Sequence, residues 1–208
     1  MQVFRLIEKD EKVLDVGCAT GYFAQELKGK NCRVVGIEKN PKLASVAKKF
    51  CEKVFICDVL GIDSLPLTKR SFDKILMLDI LEHLKDPKSA LLLVGAYLRK
   101  EGELIISVPN IAHLSVRLNH LFGKTNYQET GIMDRSHITF FTKDSLTEMI
   151  NKAGLKIERI DYSADFGQVP LLGRFLKLVP KHLQYQLTKF FDTILAVQFI
   201  VVCRTKFS

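Results

Sequence analysis

The sequence predicts an α/β protein built on a mostly parallel sheet, and three observations carry that prediction. Short runs rich in valine, isoleucine and leucine alternate with helical patterns from Lys12 onward. The joints between them are short, as in right-handed βαβ units. The first joint is punctuated by Gly17 and Gly21, and glycine lets the backbone turn tightly under a ligand. In such sheets ligands bind beyond the carboxyl ends of the strands, so chemistry is sought directly after each strand.

The elements follow in order. Lys12 to Val16 is a short buried strand by composition, and Tyr22 to Lys28 reads as a helix. Cys32 to Glu38 is a second strand. Asn40 is the N-cap and Pro41 the first-turn residue of a helix running to Lys53. Strands are expected over Lys53 to Val59 and Phe72 to Asp79. A strongly apolar helix spans Pro87 to Arg99, with Gly102 following as a helix stop, and Glu103 to Val108 is the fifth strand. Residues 110–136 have weak periodicity, with a helix expected from Ala112 to Phe122. A segment that long is a lid or acceptor loop rather than a plain connection. Thr142 caps a helix from Lys143 to Lys152 that Gly154 closes. Leu155 to Tyr162 is a sixth strand. Ala196 to Arg204 is a seventh, almost continuously apolar and therefore central. Between these two lies a helical insertion over 166–192, broken by Pro170 and Pro180.

The chain has 208 residues, 47% hydrophobic and 26% charged, with no internal repeat or linker. That is one domain, 1–208, large enough for a real core. No apolar run is long enough to span a membrane, and the start lacks a secretory signal, so a cytoplasmic protein is expected. The five cysteines, Cys18, Cys32, Cys51, Cys57 and Cys203, are odd in number and lack C-x-x-C spacing. This speaks against a disulfide framework and a zinc knuckle. The net charge is +8. Lys42, Lys48, Lys49 and Lys53 read as one solvated helix face, so nucleic acid is not expected as the main partner.

The strand ends carry the chemistry. The first runs Asp15-Val16-Gly17-Cys18-Ala19-Thr20-Gly21. A pyrophosphate loop is G-x-G-x-x-G; this one is G-x-x-x-G with a carboxylate at its entrance. Asp15 would repel a pyrophosphate and suits a cationic amino-acid group. Glu38 ends the second strand, where a carboxylate can accept both ribose hydroxyls. Asp58 follows the third and can accept from an adenine amino group, or cap a turn. The fourth ends Met77-Leu78-Asp79-Ile80-Leu81-Glu82-His83.

Taken in series, VLDVGCATG, VVGIEKNP, ICD, FDKILMLDILEHLKDP and LIISVPN resemble the class I S-adenosylmethionine-dependent methyltransferases, in particular their ubiquinone-methylase-like branch. The resemblance covers roughly residues 12–162. It implies a Rossmann-like, doubly wound, seven-stranded sheet, mostly parallel with an antiparallel C-terminal strand, and S-adenosyl-L-methionine as cofactor. By this similarity Asp15, Gly17, Cys18, Ala19 and Gly21 hold the methionine end, Glu38 the ribose and Asp58 the adenine. Leu78 and Asp79 lie beside the cofactor, and Thr20, Tyr22, Lys39 and Val59 complete the expected set. Only about a dozen residues precede the first strand, fewer than the family usually carries there, so the expected pocket is open on that side, completed by a partner, or cut short in this sequence. The stretch VPNIAHLSVRLNHLFGKTNYQETGIMDRSHITFFTKDSL is similar to bacterial methyltransferases of cell-surface polysaccharide or sugar modification. A sugar or cell-envelope precursor is therefore the expected acceptor, with a quinone or lipid-like acceptor second.

A hydroxyl acceptor benefits from a base, and histidine is the usual candidate. His137 comes first and His83 second; either can instead satisfy local backbone. Asp134, Arg135 and His113 are candidate substrate contacts. No metal-ligand spacing is visible, so no magnesium site is expected. Leu171 to Phe191 is apolar with Arg174, Lys177, Lys181, His182 and Lys189; it lies on an anionic membrane or packs as a lid. Two rivals remain. A nicotinamide oxidoreductase lacks the glycine spacing and a Tyr-x-x-x-Lys pair. A non-catalytic binding module of the same fold would bind cofactor without turnover. The sequence is silent on oligomeric state.

Overall fold

A computed structural model describes residues 2–125, 127–164 and 178–206. Seven strands form one sheet: β1 (Lys12–Val16), β2 (Arg33–Glu38), β3 (Lys53–Ile56), β4 (Phe72–Leu78), β5 (Leu98–Pro109), β6 (Leu155–Ala164) and β7 (Ala196–Thr205). Their order is β3-β2-β1-β4-β5-β7-β6. β1 to β5 pair in parallel, and β7 lies antiparallel between β5 and β6. The expected mostly parallel sheet with an antiparallel C-terminal strand is thus found, and β7 is interior, as its apolar run demands.

The helices are α1 (Tyr22–Leu27), α2 (Pro41–Ala47), α3 (Pro87–Gly95), α4 (Leu114–Leu121), α5 (Lys143–Lys152), α6 (Lys181–Phe190) and α7 (Asp192–Leu195). Strand alternation splits the core into two layers. Leu14 and Val16 face one layer with Tyr97, Leu146 and Phe199. Val13 faces the other with Phe23, Leu27 and Ala44, and Val3 and Ile7 close its edge.

Two helices stop earlier than periodicity predicts. α2 ends at Ala47, because Lys53 must already pair with Val35 to start β3. α3 ends at Gly95, because Leu98 pairs with Phe72 and β5 begins there. Gly102 is therefore not a helix stop but a strand residue. A Cβ on it would lie 2.9 Å from the Phe72 carbonyl oxygen and 2.8 Å from Leu98 Cδ1, so close backbone approach demands glycine.

β5 delivers the chain to Asn110 at the carboxyl end of the sheet. Ala164, the last residue of β6, pairs with Ala196, the first of β7. Both long insertions therefore leave the sheet at its carboxyl end; the second returns there, whereas the first leads through α5 to Leu155, which pairs with Thr205 at the opposite end. The first is anchored by Asn110, fully buried. Its amide donates to the carbonyls of Thr193 (3.0 Å) and Ala196 (2.8 Å), and its oxygen accepts from the Ala112 N–H at 3.0 Å. Of the second insertion, residues 166–177, with Arg174 and Lys177, lie outside the described residues. Among the described residues no helix is long and apolar enough to cross a membrane.

Candidate active site

Two cavities open side by side at the carboxyl end of the sheet. The first is built on the turn after β1. Gly17 has φ +74° and Gly21 φ +77°, conformations that favour glycine. A Cβ on Gly17 would fall 2.0 Å from Ile80 Cδ1. The N–H groups of Gly17 and Cys18 both donate to the Ile37 carbonyl, at 2.7 and 3.1 Å, which wraps the loop over the end of β2. Glu38 is buried there. Its Oε2 accepts the Ala19 N–H at 3.0 Å and its Oε1 the Asn40 N–H at 2.7 Å. One carboxylate thus ties the loop after β1 to the loop after β2, leaving further lone pairs for ligand hydroxyls.

Asp15 sits beneath this loop, 4% exposed. Burial, with the nearby Glu38 charge adding to it, pushes its pKa up to about 7. The cavity itself, about 250 Å³, is lined by Gly17, Glu38, Lys39, Asp58, Val59 and His83 among others. Asp58 is exposed, and its Oδ1 accepts the Leu60 N–H at 3.0 Å. It is a turn cap that also borders the cavity.

The second cavity, about 270 Å³, is lined by Asp79, Glu82, His83, Asp134, His137 and Gln198 with apolar neighbours. Asp79 has φ +55° and accepts from Ser107 Oγ at 3.1 Å and from the Gln198 amide. Glu82 is 1% exposed, and neither carboxylate oxygen has a hydrogen-bond partner. Burial raises its pKa to about 8, with Asp79 and Asp134 adding to the effect. The His83 and His137 rings pack edge-on at 4.9 Å. His137 Nε2 lies 4.0 Å from Glu82 Oε1. The backbone oxygen of Glu82 accepts the N–H groups of Ile138 (2.9 Å) and Thr139 (3.0 Å), pinning the end of the first insertion over the site.

A family model described as a methyltransferase domain matches residues 2–160. The chain belongs to that family, whose cofactor is S-adenosylmethionine. A tRNA U34 carboxymethyltransferase of Methylococcus capsulatus is 34% identical over 102 residues, 46% of this chain and 31% of that protein. The chain thus matches about a third of the length of the first such relatives. A ubiquinone biosynthesis O-methyltransferase of Coxiella burnetii is 27% identical over 157 residues, 72% of this chain and 65% of that protein. A SAM-dependent methyltransferase of Archaeoglobus fulgidus shares the fold with a TM-score of 0.67 at 16% identity, covering 98% of this chain and 90% of its own. A TehB-like SAM-dependent methyltransferase of Corynebacterium glutamicum does so with a TM-score of 0.60 at 17% identity, covering 98% and 85%.

In this methyltransferase domain the residues expected around the cofactor divide. Gly17, Glu38, Lys39, Asp58 and Val59 line the first cavity. Cys18, Ala19, Thr20 and Gly21 form the loop beside it, between Asp15 in β1 and Tyr22 in α1, with Ala19, Thr20 and Tyr22 exposed. Leu78 is half-buried in the layer below. Asp79 borders the second cavity rather than the first. Of the acceptor candidates, His83, Asp134 and His137 converge there, and His83 borders both cavities. Arg135 points outward to Glu129 at 3.7 Å, both exposed. His113 is a correction: fully buried, it caps α4 by accepting the Ser115 N–H at 3.2 Å, and it lines neither cavity. Sequence reasoning overlooked Gln198, which carries no local signal, and Glu82, whose position before His83 was its only clue. The described part of the amphipathic segment does present Leu183, Leu187 and Phe190 outward, with Gln184 and Thr188 buried.

Proposed function

We propose that this chain transfers a methyl group from S-adenosylmethionine to an oxygen of a small, polyhydroxylated acceptor, a sugar or cell-envelope precursor being the class that fits best. The second cavity carries the reading: its polar lining is rich in carboxylates. Asp79, Glu82 and Asp134 all border it. Carboxyl groups and the Gln198 side chain exchange hydrogen bonds with neutral hydroxyls, whereas the phosphates of a nucleic acid would meet the like charge of Asp134, whose pKa the Ser136 hydrogen bonds lower.

The first cavity suits the cofactor. Its glycine turn leaves no room for side chains, and Glu38, which lines it, offers a carboxylate that can accept ribose hydroxyls. When bound, the cofactor supplies an activated methyl on a sulfonium, so the hard chemistry is its own. The protein aligns the acceptor oxygen with it, and alignment alone supplies much of the rate. His83 stands at the border of the two cavities, and His137 beside it; either ring is placed to take or steer the acceptor proton. The insertion 110–136 acts as the acceptor lid, since its far end (Ile132, Asp134) lines the pocket.

The test is calorimetric titration with S-adenosylhomocysteine, with NADH as control, then methyl-labelled turnover on a panel of hydroxylated acceptors. Binding of S-adenosylhomocysteine alone, with His137→Ala slowing turnover and sparing that binding, supports the reading. Binding without turnover on any acceptor would make the chain a binding module, and turnover on tRNA alone would replace the acceptor class.

A further inference from the structure

We propose that Glu82, His83 and His137 bind one divalent transition-metal ion of the zinc class, which receives the acceptor hydroxyl. The metal-binding part stands on its own geometry. The acceptor part rests on reading the second cavity as the acceptor pocket.

The three side chains come from two places brought together by the fold. Glu82 and His83 follow β4, and His137 directly follows the first insertion. One ligand atom from each lies within 4.8 Å of the other two. Metal–ligand bonds of roughly 2.0–2.2 Å place ligand atoms about 3–4 Å apart, so rotamer adjustments of under about 1 Å close the site.

Both imidazoles are already set as ligands. His83 Nδ1 stands 3.2 Å from the Ser136 carbonyl oxygen, and His137 Nδ1 stands 3.2 Å from that of Ile132. In each case Nδ1–H donates to the carbonyl, which leaves Nε2 with its lone pair. Fixing the tautomer through a backbone carbonyl is how metal-binding histidines are usually oriented. His137 Nε2 is the atom that faces Glu82, at 4.0 Å.

Glu82 supplies the third and most telling feature. It is 1% exposed, yet both of its oxygens lack a hydrogen-bond partner. A buried carboxylate without partners is costly, and native proteins rarely keep one unexplained. A cation turns that liability into a bond. Asp79 and Asp134 also border the pocket and deepen its negative potential.

The donor set chooses the metal. Two imidazole nitrogens and one carboxylate suit zinc, cobalt, iron or nickel, whereas magnesium prefers an all-oxygen shell. Three protein ligands leave a position open to the pocket, as in catalytic zinc sites. An acceptor hydroxyl taking that position loses its proton more readily. The oxygen lone pair then forms the bond to the methyl carbon as the carbon–sulfur bond breaks. The sulfur keeps the electron pair and becomes a neutral thioether, and the acceptor proton leaves through the pocket to solvent; with the metal bound, both Nε2 atoms are ligands, so the histidines act through the metal instead of taking the proton themselves.

The experiment is titration of chelator-treated full-length protein with Co2+, whose visible absorption reports coordination, followed by displacement with Zn2+. Mg2+ is titrated in parallel. One Co2+ per chain is expected, displaced by Zn2+. Affinity should fall at least tenfold in His83→Ala and in His137→Ala, and S-adenosylhomocysteine binding should persist in His137→Ala. Glu82→Gln should behave likewise; if it fails to fold, the half-exposed His83→Ala carries the test. Absence of saturable Co2+ and Zn2+ binding, binding that survives loss of either histidine, or preference for Mg2+ overturns the proposal. Failure of S-adenosylhomocysteine to bind the parent protein would instead strike the proposed reaction, and the metal titration remains readable by itself.

Discussion

Replacing Glu38 with glutamine keeps the shape of the side chain and removes what the site uses. Oε1 accepts the Asn40 N–H at 2.7 Å and Oε2 the Ala19 N–H at 3.0 Å. An amide has one acceptor oxygen, so one of these N–H groups would face an NH2 donor. Hydrogen bonds to a charged group contribute ~1.5–3 kcal/mol and neutral ones ~1 kcal/mol. One bond is lost and the other weakened, for a total near ~2–4 kcal/mol. Part of this is paid as stability, because the two loops are tied in the free protein. Under the proposed role of Glu38 the rest falls on the cofactor, whose ribose hydroxyls would use the same oxygens. A rise of about 30-fold in Kd for S-adenosylhomocysteine, roughly 2 kcal/mol, is expected by calorimetry, with a lower Tm for the free protein. A Kd within about threefold of the parent would refute the assignment of Glu38 to the cofactor.

Three further outcomes are expected. Gly36→Ala would place a Cβ 2.6 Å from Cys18 Sγ and should destabilise by ~1–3 kcal/mol in urea unfolding. Cys18→Ala in the same chain should recover part of that loss, and an unchanged midpoint in the single variant would contradict the packing. Asn110→Ala strands two buried backbone groups, the Ala196 carbonyl and the Ala112 N–H, and frees the part-buried Thr193 carbonyl, and should cost at least ~2 kcal/mol; a loss under ~1 kcal/mol would mean that water or rearrangement serves those groups. Asp15 has its pKa raised from 3.8 to about 7, so between those values the folded state holds more protons than the unfolded state. Its contribution to stability therefore declines as pH rises from about 4 to about 7 and is level above that. Glu82, raised to about 8, adds the same sign. Asp15→Asn should make the pH dependence of Tm shallower across that window, and an identical profile would show that Asp15 is ionised in the fold.

The strand ends were readable from the chain because their signals are local. Val13 to Gly21 needs only a buried run, a carboxylate and glycines at positive φ. β1 and α5 coincide with the expected residues, and the caps at Asn40 and Thr142 form as their side-chain chemistry dictates. The helix ends at Ala47 and Gly95 were not readable, because partner strands across the sheet set them. Neither was the structural duty of His113: a histidine before a helix reads alike whether it caps that helix or reaches toward a pocket, and only burial distinguishes the two.

The second cavity lies at the far end of this scale. Glu82 and His137 are distant in sequence and meet only because the first insertion folds back and hydrogen-bonds to the Glu82 carbonyl. Gln198 reaches Asp79 only because β7 inserts antiparallel between β5 and β6. The amino-acid order carries the first cavity, since adjacent residues at strand ends suffice to build it. The second cavity was decided by tertiary contacts, because the free energy that holds a buried carboxyl group against two histidines comes from elements that no local pattern connects.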